Sequence, residues 1–242
     1  MKYTSINELG LHRKTNQDRV LVQETKHGFL ALVCDGIGGG RAGDVASQMV
    51  VDIFEEMFEQ QGHFEDDEAV ISWFRKTLNK VNRHVFAKGE AVIEYDGMGT
   101  TLIGVVIRNK RAIGFNVGDS RLYEFRHAKL NLLSHDQTYA YQMYLQNEIS
   151  KEEIERHPHK NALINAVGIN ETITFETIRV IDGWTRIMLS SDGLHGFVPH
   201  AYLEQAFNLN IEKSTEVLKD LAFKAGGYDN ISFIIVEEGQ NG

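Results

Sequence analysis

The sequence predicts an α+β fold in which helices cover antiparallel sheets. Strand-length apolar runs and helical repeats fall in separate blocks along the 242 residues, in the order strands, two helices, strands, two helices, strand. Two consecutive helices break the alternation of strand and helix that a parallel sheet needs. With 42% apolar residues the chain can bury a sizeable core, and we expect residues 1–242 to form one domain.

The predicted strands are short runs rich in Val, Ile and Phe. Such side chains suit the half-buried, pleated surface of a sheet. The runs are residues 19–22, 29–34, 101–107, 112–117, 121–125, 173–180, 186–189 and 231–236.

Apolar residues that recur at spacings of three and four predict the helices. Residues 46–58 and 70–85 carry this repeat between the second and third predicted strands. Two further helices are predicted near residues 201–207 and 215–225. The polar stretch 139–159 contains a short predicted helix at about 151–156, and we expect this stretch on the surface.

Charge, cysteine content and hydropathy exclude several classes of protein. Lys and Arg total 25 against 34 Asp and Glu, a net charge of −9, and no basic cluster is visible, so a nucleic-acid partner is not expected. Cys34 is the one cysteine, which excludes an internal disulfide and fits a reducing compartment. No signal peptide and no run of about 18 apolar residues is present, so we expect a cytoplasmic protein with no membrane contact.

Aspartates stand at the ends of several predicted strands. Asp35, Asp119 and Asp192 each follow a strand, and Asp229 precedes the last one. If these carboxylates converge on one sheet edge, their mutual repulsion raises their pKa values unless a cation neutralises them. Oxygen ligands of this kind select Mg²⁺ or Mn²⁺ over Zn²⁺, so a two-ion site for phosphate-ester hydrolysis is one hypothesis.

Simpler interpretations remain open for these and other residues. Asp-Gly and Asp-Asn pairs are typical of turns, and the pairs at 96–97 and 182–183 favour that interpretation. His157 and His159 favour solvated surface over a metal site, since no third ligand is close in sequence. Arg13 is either a solvated side chain or a bidentate phosphate ligand.

The glycine-rich segment 34–43 permits a dinucleotide-binding interpretation. Gly38, Gly40 and Gly43 fit G-x-G-x-x-G between a strand and a helix. Against it, Asp35 would face the pyrophosphate, and a second helix follows where a parallel strand is required. No Walker loop and no G-x-S-x-G elbow occurs. A dinucleotide-dependent oxidoreductase is therefore the weakest of three hypotheses.

Six short motifs follow one another along the chain. They are Arg13-x-x-Asn16-Gln17-Asp18, Asp35-Gly-Ile-Gly-Gly39 with residues 43–47, Met98-Gly-Thr-Thr101, Gly118-Asp-Ser-Arg121, Ser191-Asp-Gly193 and Asp229-Asn-Ile-Ser232. In this order they resemble the motifs of the PP2C-like (PPM) metal-dependent Ser/Thr protein phosphatases. The likeness spans about residues 11–236. The compact length and residues 149–168 resemble the bacterial branch with its flap subdomain, here about residues 137–168.

The resemblance implies a four-layer α-β-β-α sandwich of two antiparallel sheets flanked by helix pairs, with two Mn²⁺ or Mg²⁺ ions at one edge. It implies that Asp35 bridges the two ions and that the carbonyl of Gly36 binds the second. Asp192 and Asp229 would complete the first site, and Asp18 would hold bound water as an outer carboxylate. Each assignment is an expectation for the structure to test.

The resemblance also implies a mechanism and partners. Arg13 would bind the substrate phosphate, and Asp119 with Asp192 would hold a third, weaker ion. A metal-bridging hydroxide would attack phosphoserine or phosphothreonine directly. The implied partners are phosphoproteins and a cognate Ser/Thr kinase, and we expect a monomer.

The chain departs from the family pattern at three places. Ile37 stands where eukaryotic relatives carry a histidine that is the usual candidate for protonating the leaving oxygen. Gln17 replaces a common glutamate, and Asp136-Gln-Thr138 replaces Asp-His-Ser. The main alternative is a catalytically weak, phosphatase-like module that binds phosphoproteins or regulators. Because Asp35, Asp192 and Asp229 are all present, the sequence favours the enzyme.

Overall fold

Two antiparallel sheets lie face to face, and helices cover the outer face of each. The computed structural model describes residues 1–38 and 42–239, so Gly39, Gly40 and Arg41 of the glycine-rich segment lie outside the described residues. The layers alternate as helix, sheet, sheet, helix. This arrangement confirms the α+β sandwich that the sequence predicts.

The elements are numbered in chain order. The strands are β1 (Lys2–Glu8), β2 (Asp18–Thr25), β3 (Gly28–Ile37), β4 (Gly99–Thr100), β5 (Leu102–Arg108), β6 (Arg111–Val117), β7 (Arg121–Arg126), β8 (Lys129–Leu132), β9 (Glu176–Arg179), β10 (Arg186–Ser190) and β11 (Ile231–Glu237). The helices are α1 (Ala42–Glu59), α2 (Asp67–Ala91), α3 (Tyr139–Leu145), α4 (Lys151–Ile154), α5 (Asp192–His195), α6 (His200–Phe207) and α7 (Ile211–Lys224).

Each sheet draws its strands from distant parts of the chain. The first sheet has the order β1-β11-β10-β7-β8, and the second has the order β2-β3-β5-β6-β9 with β4 beside β3. All the pairings are antiparallel. In the second sheet the register sets Asp18 opposite Asp35, so two acids share one end of neighbouring strands.

Three apolar layers hold the sandwich together. One lies between the sheets, one between α1, α2 and the second sheet, and one between α6, α7 and the first sheet. In the layer beneath α2, the rings of Phe74 and Phe115 stack with centroids 3.8 Å apart, and both are fully buried. No helix in the described ranges is both long and apolar enough to cross a membrane.

The strongly apolar predicted elements are confirmed, and the missed elements are polar or very short. Every predicted strand has a counterpart, although 173–180 contributes a strand of four residues, Glu176–Arg179. Strand β1 was missed because it is an edge strand whose alternate residues are exposed and polar. Helix α3 was missed because its start depends on a cap, in which Tyr141 N–H donates to Thr138 Oγ1. Such local caps leave little trace in hydrophobic periodicity.

Replacing Phe74 by alanine tests how strongly α2 is bound to the second sheet. We expect Phe74→Ala to lower the free energy of unfolding by about 3–5 kcal/mol, because a fully buried ring leaves a cavity against Phe115. Urea denaturation measures the change. Ile93→Ala, at a residue that is 82% exposed, is the control and should be nearly neutral. A loss below about 1 kcal/mol for Phe74→Ala would contradict the packing described.

Candidate metal centre

One cavity at the edge of the sandwich collects most of the predicted site residues. Its volume is about 240 Å³. Its lining includes Arg13, Asp35, Gly36, Asp119, Asp192 and Asp229. A larger cleft of about 650 Å³ lies beside α6, but its lining includes a single carboxylate, that of Glu155. The chemistry of the lining, and not the volume, therefore identifies the candidate site.

The backbone of Asp35 is fixed by the neighbouring strand. Asp35 N–H donates to Thr101 Oγ1 at 3.0 Å, and its carbonyl accepts from Thr100 Oγ1 at 2.9 Å and from Thr101 N–H at 2.8 Å. The next residue has no room for a side chain, since a Cβ on Gly36 would lie 2.3 Å from the carbonyl oxygen of Gly43. The chain thus delivers the Asp35 carboxylate and the bare Gly36 backbone to the cavity together.

Asp192 reaches the same cavity from the first sheet. It opens the short helix α5 immediately after β10. A Cβ on Gly193 would lie 1.8 Å from the carbonyl oxygen of Asn230, so α5 packs directly on the backbone at the start of β11. This close approach brings Asp192 and Asp229 to one edge.

Asn230 ties the segment that carries Arg13 to the start of β11. Its Oδ1 accepts from Gln17 N–H at 2.9 Å, and its Nδ2 donates to the carbonyls of Leu9 at 2.8 Å and Thr15 at 3.2 Å. The sequence motif contains Asn230, but spacing alone does not reveal this role. The result is that Arg13 is held next to Asp229.

Arg13 and Asp229 form an ion pair at the mouth of the cavity. Arg13 Nη2 donates to Asp229 Oδ2 at 2.5 Å. This hydrogen bond raises the pKa of Arg13, and the charges of Asp229 and Asp35 add to the effect. The guanidinium is about half exposed, so its remaining donors face solvent.

Asp18 lies beneath the cavity and does not line it. The residue is 1% exposed, and its Oδ2 accepts from Ser191 Oγ at 2.8 Å. Its Oδ1 has no hydrogen-bond partner in the described part of the chain. Burial raises the pKa of Asp18 to about 7, against hydrogen bonds from Ser191 and Ser232 that lower it. Ser191 belongs to one of the six motifs, but the motif does not reveal that its hydroxyl supports Asp18.

The cavity carboxyls also resist ionisation. Burial raises the pKa of Asp35 well above its ordinary value, and the charges of Asp18 and Asp192 raise it further. Burial and the Asp192 charge raise the pKa of Asp119 to about 7. Burial and the Asp229 charge raise the pKa of Asp192 as well. The common cause is several carboxylates crowded where water cannot screen them.

The donor atoms that line the cavity are of the kind that hard divalent cations prefer. The donors are carboxylate and carbonyl oxygens, which Mg²⁺ and Mn²⁺ prefer. Asp192 Oδ1, like Asp18 Oδ1, is buried with no hydrogen-bond partner among residues 1–38 and 42–239. Over the same residues, no three acidic, histidine or cysteine side chains are already grouped closely enough to hold one ion. Asp229 faces Arg13, so a three-carboxylate site needs this side chain to turn from the guanidinium.

Asp119 belongs to a turn that also anchors the start of the flap segment, residues 137–168. Gln137 N–H donates to the carbonyl of Gly118 at 2.9 Å, and Gly118 N–H donates back to Gln137 Oε1 at 3.0 Å. Asn161 and Leu163 of the flap segment line the cavity as well. Both residues lie in the segment 149–168 that resembles the bacterial branch, but an amide and an apolar residue carry no spacing that predicts a place in the cavity.

The other candidate chemistries find no support in the geometry. His157 and His159 are near Tyr139 on the flap segment and do not line the cavity. Cys34 is fully buried, and burial raises the pKa of its thiol. Strand β3 leads through α1 and α2 to the antiparallel β5, and this order is not the β-α-β unit of a dinucleotide site. The Gly40 of that motif lies outside the described residues.

Comparison with known proteins gives a consistent result. A family model described as protein phosphatase 2C matches residues 12–222. The serine/threonine phosphatase stp of Listeria monocytogenes is 33% identical over 232 residues, which cover 94% of this chain and 92% of that protein. The protein phosphatase PhpP of Streptococcus pneumoniae is 30% identical over 242 residues, 98% of this chain and 97% of that one. The crystal structure of serine/threonine phosphatase Stp1 from Staphylococcus aureus superposes with a TM-score of 0.92 at 26% identity, covering 98% and 95% of the two chains.

The raised pKa of Asp18 predicts how the stability of the metal-free protein depends on pH. The folded state holds a proton on Asp18 up to about pH 7, whereas the unfolded chain releases it near pH 4. Asp18 therefore makes the metal-free protein less stable as pH rises from about 4 to 7. Asp18→Asn removes this contribution, so the variant should gain stability relative to wild type as pH rises through that window.

Urea denaturation in EDTA at pH 5 and pH 8 measures the effect. The gain in unfolding free energy from Asp18→Asn should be larger at pH 8 than at pH 5. Asp182→Asn, at an exposed turn, is the matched control and should show no pH dependence in its difference from wild type. A pH-independent effect of Asp18→Asn would contradict the assigned shift.

Proposed function

The chain belongs to the protein phosphatase 2C family, and from that premise we propose that it hydrolyses phosphoserine and phosphothreonine in proteins with the help of two Mn²⁺ or Mg²⁺ ions. It is a serine/threonine protein phosphatase by family and by its relatives. One observation carries the metal-dependent part of the proposal. Asp35, Asp119, Asp192 and Asp229, from separate strand ends, line one cavity together with Arg13.

We assign the metal ligands from the positions of the side chains. Asp35 and the Gly36 carbonyl come from the second sheet, whereas Asp192 and Asp229 come from the first. By the family's motif, Asp35 would serve both ions. Asp119, whose carboxyl responds to the charge of Asp192, would hold a third and weaker ion with it.

Bound divalent cations supply a nucleophile from water near neutral pH and neutralise charge that develops on the phosphate. The protein residues do the positioning. We propose that Asp18, which is buried and accepts a hydrogen bond from Ser191 Oγ, orients water as an outer carboxylate. We propose direct hydrolysis by water without a phosphoenzyme, since the cavity aspartates would be occupied as metal ligands and Cys34 is buried.

Arg13 is placed to bind the substrate phosphate. Its guanidinium presents several N–H donors in a planar fork, which matches two oxygens of a phosphate. It lies at the mouth of the cavity on a segment that Asn230 holds in place. A phosphate that enters the cavity therefore meets one cation on the rim of an acidic site.

The cavity lining includes two apolar side chains. They are Ile37 and Leu163, and within the described residues no histidine lines the cavity. We therefore assign no side chain as the acid that protonates the leaving oxygen. Because no acid is assigned, the rate of hydrolysis should be lowest for an ester with a poor leaving group.

The partners follow from the reaction. The substrates are phosphoproteins, and a Ser/Thr protein kinase must supply them, since this reaction consumes the product of such a kinase. A regulatory module that binds phosphoproteins without turnover is the competing proposal. The complete set of Asp35, Asp192 and Asp229 in one cavity favours the enzyme.

Asp192→Asn tests the metal-dependent mechanism. Wild-type protein freed of metal should release phosphate from a phosphothreonine peptide upon addition of Mn²⁺. The variant should lose at least about 100-fold in kcat, because an amide neither neutralises nor binds a divalent cation as a carboxylate does. Phosphate release in a coupled assay measures this.

The matched control is Asp182→Asn, an exposed acid in a turn away from the cavity, which should retain wild-type activity. Circular dichroism should show that both variants are folded. Turnover by Asp192→Asn at the wild-type rate would overturn the assignment of Asp192. Mn²⁺-independent binding of the phosphopeptide without phosphate release would support the regulatory module instead.

The described lining of the cavity contains no histidine, and this predicts that the rate of hydrolysis depends on the pKa of the leaving group. An aryl phosphate should be turned over faster than a phosphothreonine peptide, by about 100-fold or more, since a general acid typically contributes that much and is needed less by a phenolate. The kcat values at saturation give the comparison. Ile37→His places an imidazole on the cavity lining and should reduce the difference in kcat between the aryl phosphate and the phosphothreonine peptide. Equal rates for the two esters in wild type would contradict the interpretation.

A further inference from the structure

A group of exposed rings lies next to the ion pair of Arg13 and Asp229, and one of them, Phe197, lines the larger cleft beside α6. His12 stacks on Tyr228 with centroids 4.9 Å apart, and Phe197 packs against Tyr228 with centroids 5.7 Å apart. Tyr228 is 54% exposed and Phe197 is 39% exposed. We call His12, Phe197 and Tyr228 the aromatic shelf.

The shelf is joined to the catalytic residues through the backbone. Leu11 N–H donates to the carbonyl of Gly227 at 2.7 Å, which pairs the two segments. One residue further along each segment, His12 stacks on Tyr228, and the next residues form the ion pair between Arg13 and Asp229. The shelf is therefore a direct continuation of the rim of the cavity.

Two of the rings are positioned by contacts near their backbones. The Tyr228 ring lies over Gly226, where a Cβ would stand 2.1 Å from the ring. Phe197 follows the short helix α5, and its N–H donates to the carbonyl of Leu194 at 3.3 Å.

Three mutually packed rings on the surface differ from a scattered apolar residue. Single exposed apolar side chains are common in soluble proteins, whereas contiguous exposed apolar surface next to a site is typical of a binding surface. Ring faces offer contact area to apolar groups at low entropic cost. The neighbouring cavity indicates which ligand would contact these rings. A phosphoprotein whose phosphate reaches Arg13 has flanking residues within reach of these rings, because successive residues of an extended chain are about 3.5 Å apart.

We propose that the aromatic shelf binds a large apolar side chain that flanks the phosphorylated residue, and so selects among phosphoprotein substrates. The inference rests on the proposed function. The contact is made by residues that do not touch the reacting phosphate, so it acts on substrate choice. Peptides with leucine or phenylalanine within a few residues of the phosphothreonine are the preferred class, and peptides flanked by small residues are poor substrates.

A set of phosphothreonine peptides tests the proposal. One reference peptide carries alanine at the three positions on each side, and six others each replace one alanine with leucine. With Mn²⁺, wild type should prefer at least one leucine peptide over the reference by about tenfold in kcat/KM, since burying part of a leucine side chain supplies selectivity of that order. The readout is the ratio of the two values, measured by phosphate release.

Variants of the shelf test whether its rings cause the preference for a leucine peptide. Tyr228→Ser and Phe197→Ser should each reduce the ratio towards one, and Tyr228→Phe should keep it, because the ring face is retained. Tyr202→Ser is the matched control, since Tyr202 is 53% exposed on α6 and lies outside the shelf, and it should keep both the ratio and the activity. Circular dichroism establishes folding, and Phe197→Ser serves alone if Tyr228→Ser does not fold.

The outcomes separate this inference from the proposed function. A ratio near one for every leucine peptide, with phosphate released from all of them, overturns the shelf and leaves the phosphatase intact. A ratio that Tyr228→Ser and Phe197→Ser leave unchanged overturns it too. Wild type that releases no phosphate from any peptide in Mn²⁺ overturns the proposed function, and the shelf proposal with it.

Discussion

Repulsion between crowded carboxylates is the constraint on which the site depends. Asp18, Asp35, Asp119 and Asp192 all have raised pKa values, with burial as the first cause and neighbouring acids as another. Left to local preference, these side chains would separate into water. Two sheets with apolar layers on both faces hold their backbones in place instead. The fold thus holds an unfavourable electrostatic arrangement that a bound cation would relieve.

Hydrophobic patterning predicted those parts of the fold that are buried on both faces. Strands such as β3 and β11 are continuous apolar runs, and α1 and α2 repeat at helical spacing. The elements that escaped prediction are stabilised in other ways. Strand β1 is stabilised by pairing with β11. Helix α5 is stabilised where Gly193 packs on the backbone of Asn230. Long-range pairing and backbone contact leave no periodic signal in a single sequence.

For the candidate site, the sequence predicted which residues come together. Acids at strand ends predicted which residues could converge, and the cavity now contains Asp35, Asp119, Asp192 and Asp229. What spacing could not supply is orientation. The hydrogen bonds of Asn230 to the segment before Asp18, and the pairing of Leu11 with Gly227, join positions more than 200 residues apart. Those contacts exist only after both sheets have formed.

The position of β11 has a consequence for how the protein is made. β11 lies between β1 and β10, so the first and last strands of the described fold become neighbours in one sheet. Among the described elements, β1 is synthesised first and its neighbour β11 is synthesised last. Asp229 and Asn230 arrive with that partner. A ribosome-bound chain therefore stays incapable of assembling this cavity until Asp229 and Asn230 have been synthesised.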